Sequence, residues 1–168
     1  MMVQKDPGQG PQGARSAAMR AHVLILEARF YEDIAELLVT GATDVLTARG
    51  VTYERIVVPG ALELPQVLAA AASARASGRH AFDGAIALGC VIRGETAHYD
   101  IVCNNANHWL MDVATRHDVP VGNGILTVET EDQALARAHG GADGKGGDAA
   151  RACLKLIEHK RTFWGPSA

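Results

Sequence analysis

With 168 residues, the chain suits one compact domain and leaves little room for two. Hydrophobic residues at 48% against 21% charged exclude disorder of the whole chain, and a formal net charge of -3 leaves no basic field to hold nucleic acid or an anionic membrane. No apolar run approaches the roughly 18 residues that a membrane span needs.

The first twenty residues, rich in Gly, Gln and Pro, lack the apolar core of a signal peptide and read as a flexible tail. Residues 21–168 are expected to form the single domain. Cys90, Cys103 and Cys153 are odd in number and show no CxxC spacing. They read as small buried hydrophobes in a reducing compartment, so the cytoplasm is the expected location.

From His22 onward a strand–helix pattern repeats four times. His22–Glu27 is a short apolar run, and Tyr31–Arg49 follows with helical spacing at Ile34, Leu37, Leu38, Val45 and Leu46. Gly50 closes that helix. Thr52–Val58 is the second strand, and Val58-Pro59-Gly60 turns into a helix from about Glu63 to Ala76. Gly84–Ile92 is apolar throughout, as expected of a strand buried on both faces. A helix then runs from about Tyr99 to His117, followed by a strand over Val121–Val128. Thr130-Glu131-Asp132-Gln133 has the form of a capping box and opens a helix to Ala138. A glycine-rich link, His139 to Gly147, leads to the last helix, Asp148 to about Arg161.

This alternation predicts an α/β fold: a three-layer αβα sandwich, flavodoxin-like, around a four-stranded parallel sheet. Ligands bind such sheets beyond the carboxyl ends of the strands. Three polar, glycine-bearing clusters fall there: Ala28–Glu32, Pro59–Glu63 and Arg93–His98.

In the third cluster, Gly94 lets the chain turn, and the amides of Glu95 and Thr96 precede a helix. Free amides, the helix dipole and the Thr96 hydroxyl make an anion site; an ordinary turn with Thr96 as cap is the plainer reading. His98 can exchange protons near neutral pH, or it is simply a solvated or capping histidine. A zinc site of His98, Cys103 and His108 is rejected, because steps of five residues do not share a helix face. Gly140–Lys145 imitates a phosphate-binding P-loop but has the wrong glycine spacing, and Gly146 stands where Ser or Thr is needed. In the second cluster Glu63 either favours the helix start or, with exposed backbone groups, holds a polyol. Phe30 is a core plug or a platform for a planar ring.

Taken in order, these segments resemble the lumazine synthase family. They are Arg29-Phe30-Tyr31-Glu32-Asp33-Ile34, Val58–Pro65, the whole Gly89–Asp100 stretch, Pro120–Thr127, Gln133–Ala138 and Lys145-Gly146-Gly147. The match runs from about His22 to Arg161. The resemblance implies condensation of 5-amino-6-(D-ribitylamino)uracil with 3,4-dihydroxy-2-butanone 4-phosphate to 6,7-dimethyl-8-ribityllumazine, releasing phosphate and water. No cofactor and no metal are implied. Carried over by position, Phe30 stacks on the pyrimidine, Ala61, Leu62 and Glu63 hold the ribityl chain, and Cys90, Val91 and Ile92 line the ring pocket. Glu95 and Thr96 bind the phosphate with Arg137, His98 moves protons, and Lys145 reaches the ribityl or phosphate region.

Two positions depart from the family pattern. Asn123 stands where many members carry an aromatic residue that closes over the pyrimidine from a neighbouring subunit. Glu95 puts a carboxylate beside the phosphate, so its side chain must point away. The resemblance also implies a homo-oligomer of pentameric rings with sites between subunits, either free or in a larger assembly. The free pentamer is favoured by the Pro120–Thr127 segment. Two other functions stay open from the sequence: a flavin- or lumazine-binding paralogue with little catalysis, and an enzyme that dismutates the lumazine to riboflavin.

Overall fold

The computed structural model describes residues 17–165. Four strands and five α-helices are defined in it: β1 (His22–Ala28), α1 (Glu32–Ala48), β2 (Thr52–Val58), α2 (Leu64–Ala76), β3 (Gly84–Ile92), α3 (His98–Arg116), β4 (Val121–Val128), α4 (Glu131–Ala138) and α5 (Lys145–Trp164). Single 3₁₀ turns at Ala61–Glu63 and Gly141–Asp143 precede α2 and α5. The sheet has the order β2-β1-β3-β4, and each of its three pairings is parallel.

Strand alternation divides the core into two layers. Val23, Ile25, Ile86, Leu88, Leu126 and Val128 face α1, α4 and α5. Leu24, Leu26, Ala85, Ala87 and Val121 face α2 and α3. Because both faces are covered, β1 and β3 are apolar almost throughout, as their sequences require. The chain steps from β1 outward to β2 over one face, then reverses past β1 to β3 and β4 over the other. Reversing direction while keeping one crossover hand places α1 opposite α2 and α3. The three-layer flavodoxin-like sandwich read from the sequence is the observed architecture.

The boundaries differ from expectation in a few places. The last helix begins at Lys145, three residues early, so Gly146 and Gly147 are helical rather than part of a link. A methyl group on Gly146 would lie 1.9 Å from the Leu38 carbonyl oxygen, and one on Gly147 1.9 Å from that of Ala142. These glycines let α5 touch its neighbours at backbone distance, which outweighs their poor helix propensity. At its other end α5 continues to Trp164.

The expected flexible tail lies largely outside the described residues. Its last four residues, 17–20, are docked: Met19 is buried, Arg49 Nε donates to the Ala17 carbonyl and Arg161 Nη2 to that of Arg20. The capping motif forms in altered form. Thr130 Oγ accepts the Gln133 N–H at 3.2 Å, while Gln133 Oε1 accepts the N–H of Glu129, one residue before the cap. Among the described residues, no helix is long and apolar enough to cross a membrane.

Candidate active site

The chain leaves β1 for one edge of the sheet and β3 for the other, so a crevice opens at their carboxyl ends. A cleft of about 390 Å³ occupies this place. That volume lies within the roughly 300–1,000 Å³ usual for small-molecule sites. Its floor is Cys90, Val91 and Ile92 at the end of β3. One wall is the turn after β2, where Pro59 and Gly60 stop the strand and Ala61, Leu62 and Glu63 form the 3₁₀ turn. Pro65 then fits the first turn of α2, where no backbone N–H partner is required. Phe30 and Tyr31, from the turn after β1, close another side.

Phe30 is 72% exposed and meets Tyr31 edge-on with 5.0 Å between ring centres. A large aromatic left bare at a cleft mouth offers its face to a planar ligand. The opposite side is the Gly94–Tyr99 stretch, which contributes Thr96, His98 and Tyr99. His98 is the first residue of α3, and its N–H donates to Thr96 Oγ at 3.3 Å. The hydroxyl thus makes a local turn contact just before α3, whose cap position is Ala97, and keeps its own hydrogen to donate.

Burial pushes the Cys90 thiol up to about 11, with Cys103 adding to the rise. Cys90 is thus a protonated, apolar wall rather than a nucleophile near neutral pH. Burial also raises the pKa of Tyr31 and that of Tyr99, with Cys103 adding to the latter. The other ionisable side chains that line the cleft are the exposed imidazole of His98 and the carboxylate of Glu63.

A second group of expected site residues lies elsewhere. Asn123, Arg137 and Lys145 line a separate cleft of about 380 Å³ along edge strand β4 and the start of α5. Arg137 Nη1 donates to the Gln133 carbonyl, and Lys145 Nζ is 3.4 Å from Asp148. Asn123 Nδ2 donates to Asn107 Oδ1 at 2.7 Å, and Asn123 Oδ1 accepts the Ile125 N–H. Within one chain its amide is thus occupied by α3 and by its own strand. Glu95 is exposed and lines neither cleft.

The family model described as 6,7-dimethyl-8-ribityllumazine synthase matches residues 20–161. The chain belongs to that family. Similar proteins bearing the same name include one from Agrobacterium fabrum, 49% identical over 146 residues that cover 87% of this chain and 99% of the relative. One from Nitrobacter hamburgensis is 46% identical, covering 93% and 96%. Another from Rhizobium meliloti, named 6,7-dimethyl-8-ribityllumazine synthase 1, is 51% identical, covering 83% and 92%.

Within this lumazine synthase fold the sequence reading missed three cleft-lining side chains, Tyr31, Tyr99 and Val102. Tyr31 and Tyr99 stand inside the quoted family segments, yet only the backbone turn shows which way their rings face. Arg93 was also passed over. Its Nε is 2.7 Å from Glu129, its guanidinium lies 4.3 Å from the Tyr99 ring centre, and its N–H donates to the Val128 carbonyl. Arg93 thereby ties the loop bearing Thr96 to the end of β4. A strand-terminal arginine with a glutamate just after the next strand is the signal that could have found it.

Proposed function

We propose that this chain is a 6,7-dimethyl-8-ribityllumazine synthase that condenses 5-amino-6-(D-ribitylamino)uracil with 3,4-dihydroxy-2-butanone 4-phosphate. The observation that carries the reading is the meeting of Phe30, the Ala61–Glu63 turn, Thr96 and His98 at one strand-end cleft in a member of this family. Phe30 stacks on the pyrimidine, and the Ala61–Glu63 turn with Glu63 holds ribityl hydroxyls. Cys90, Val91 and Ile92 form the dry floor under the ring. The amides of Glu95 and Thr96, with the Thr96 hydroxyl, receive the phosphate.

The chemistry needs proton transfers and no covalent enzyme intermediate. The 5-amino group attacks the ketone and the adduct loses water to give an imine. Loss of the C3 proton and of the phosphate gives an enol, which takes up a proton at its terminal carbon to become a methyl ketone. Attack of the ribityl-bearing nitrogen on this new carbonyl closes the ring with loss of a second water. His98 is placed to accept and return these protons. Most of the acceleration comes from holding two polar substrates together.

Arg137 and Lys145 belong to the same reaction in this reading, and Asn123 to the pyrimidine end. Because they line a different cleft from His98 in one chain, they serve the site of a neighbouring copy. A head-to-tail interface that closes into a ring meets this need, since each subunit then gives one half-site and receives the other. The pentameric ring is the form proposed.

The test is to mix the purified protein with both substrates and follow lumazine fluorescence alongside phosphate release. One phosphate per lumazine supports the reading. Tight flavin or lumazine binding without turnover would overturn it in favour of a binding protein.

A further inference from the structure

Glu27 is the one charged side chain that is fully buried among the described residues, at 0% exposure. It lies near the end of β1, three residues before Phe30, directly after the apolar run Val23–Leu26. Arg55 of β2 grips its carboxylate with two nitrogens, Nε to Oε1 at 2.7 Å and Nη2 to Oε2 at 3.0 Å. Arg29 Nη1 donates to Oε2 at 2.7 Å. Glu36 of α1 completes a ring, 3.2 Å from Arg29 and 3.8 Å from Arg55. The four groups carry two charges of each sign and join β1, β2, α1 and the turn between β1 and α1.

Stability does not account for this ring. A buried ion pair seldom outperforms well-packed apolar side chains of similar volume. Val23 and Ile25, on the same face of the same strand, are aliphatic and fully buried. What the ring adds is direction. Arg29 is fixed by two carboxylates through its side chain, and its N–H donates to the Val58 carbonyl at 3.2 Å. On the far side of Phe30, the Tyr31 carbonyl accepts the Ala35 N–H of α1. Phe30 itself is exposed, with Tyr31 as its aromatic neighbour, so its aim is set by the backbone that flanks it rather than by packing around the ring. None of the four charged residues lines the cleft.

We propose that Glu27, with Arg29, Arg55 and Glu36, is a positioning network that holds the β1–α1 turn so that the Phe30 ring is preset to stack on the pyrimidine substrate. The proposal rests on the stacking role given to Phe30 above. Its benefit is pre-organisation: a ring already aimed loses less freedom when the substrate arrives.

The test titrates the purified oligomer with 5-amino-6-(D-ribitylamino)uracil alone and reads its dissociation constant. Phe30→Ala is expected to weaken binding on the order of 10-fold. Arg55→Ala, at a partly exposed position, is expected to weaken it roughly 3- to 10-fold while the KM for the butanone phosphate stays unchanged. Arg55→Lys recovers part of the loss, since a lysine restores charge without the two-pronged grip. The deciding result is the double variant. Added to Phe30→Ala, Arg55→Ala produces no further weakening, because the network acts through that ring. Additive losses, or an unchanged dissociation constant in Arg55→Ala, overturn the proposal with the stacking role intact. An unchanged constant in Phe30→Ala removes the stacking role and the proposal with it. Should Arg55→Ala not fold, Glu36→Gln breaks the exposed side of the ring and is expected to shift the constant in the same direction by less.

Discussion

His98 and Arg137 divide the proposed chemistry between them. His98, exposed at the start of α3, can reach a ligand in the strand-end cleft and move its protons. His98→Ala is therefore expected to lower kcat on the order of 10- to 1,000-fold without abolishing turnover, since aligned substrates still react slowly unaided. An unchanged kcat would remove His98 from the mechanism. Arg137 offers a guanidinium suited to phosphate, so Arg137→Ala should raise the KM for the butanone phosphate and leave that for the ribitylaminouracil nearly unchanged. Equal rises in both would show that it serves neither phosphate nor this substrate in particular. Steady-state kinetics with each substrate varied in turn decides both predictions. Phe30, Glu63, Thr96 and His98 were legible from the sequence because strand ends in such a sheet converge on one crevice. Tyr31, Tyr99 and the Glu27 network were not, because they depend on which way a side chain leaves a turn or a strand. The clue to Glu27 was nonetheless present: a carboxylate inside a strand that must be buried requires a cation, and Arg29 and Arg55 supply two.

Elements were read well where hydrophobic periodicity governs them and less well where tertiary contact does. All four strands and five helices were foreseen, and each strand lies within about a residue of its expected range. The start of α5 was misjudged because glycine is a poor helix former in isolation. Here Gly146 and Gly147 are the surfaces on which α5 meets Leu38 of α1 and Ala142. Gly146→Ala should accordingly destabilise the fold by roughly 1–3 kcal/mol, as an over-packed contact against backbone that cannot move aside freely. Gly94→Ala, where an added methyl meets no atom within 4 Å, provides the comparison and should unfold at much the same urea concentration as the parent. Equal behaviour of the two variants in urea unfolding would mean that α5 does not depend on this close approach. The same contact bears on the site, because α5 begins at Lys145 and any retreat of its first turn carries that lysine with it.

At the scale of the whole molecule, the chain presents two clefts: one at the ends of β1, β2 and β3, the other along β4 and the start of α5. In the proposed ring of identical copies, the two would become one site. The most direct measurement is activity in mixed assemblies of two crippled variants, His98→Ala and Arg137→Ala, co-expressed with different tags and purified through both. Random mixing in a head-to-tail ring joins an intact His98 half to an intact Arg137 half at about a quarter of the interfaces. The mixed assembly should therefore regain roughly a quarter of the parental lumazine-forming rate per subunit, well above either variant alone. Mixed assemblies that form, sediment as pentamers and stay no more active than the average of the two variants would contradict the shared site.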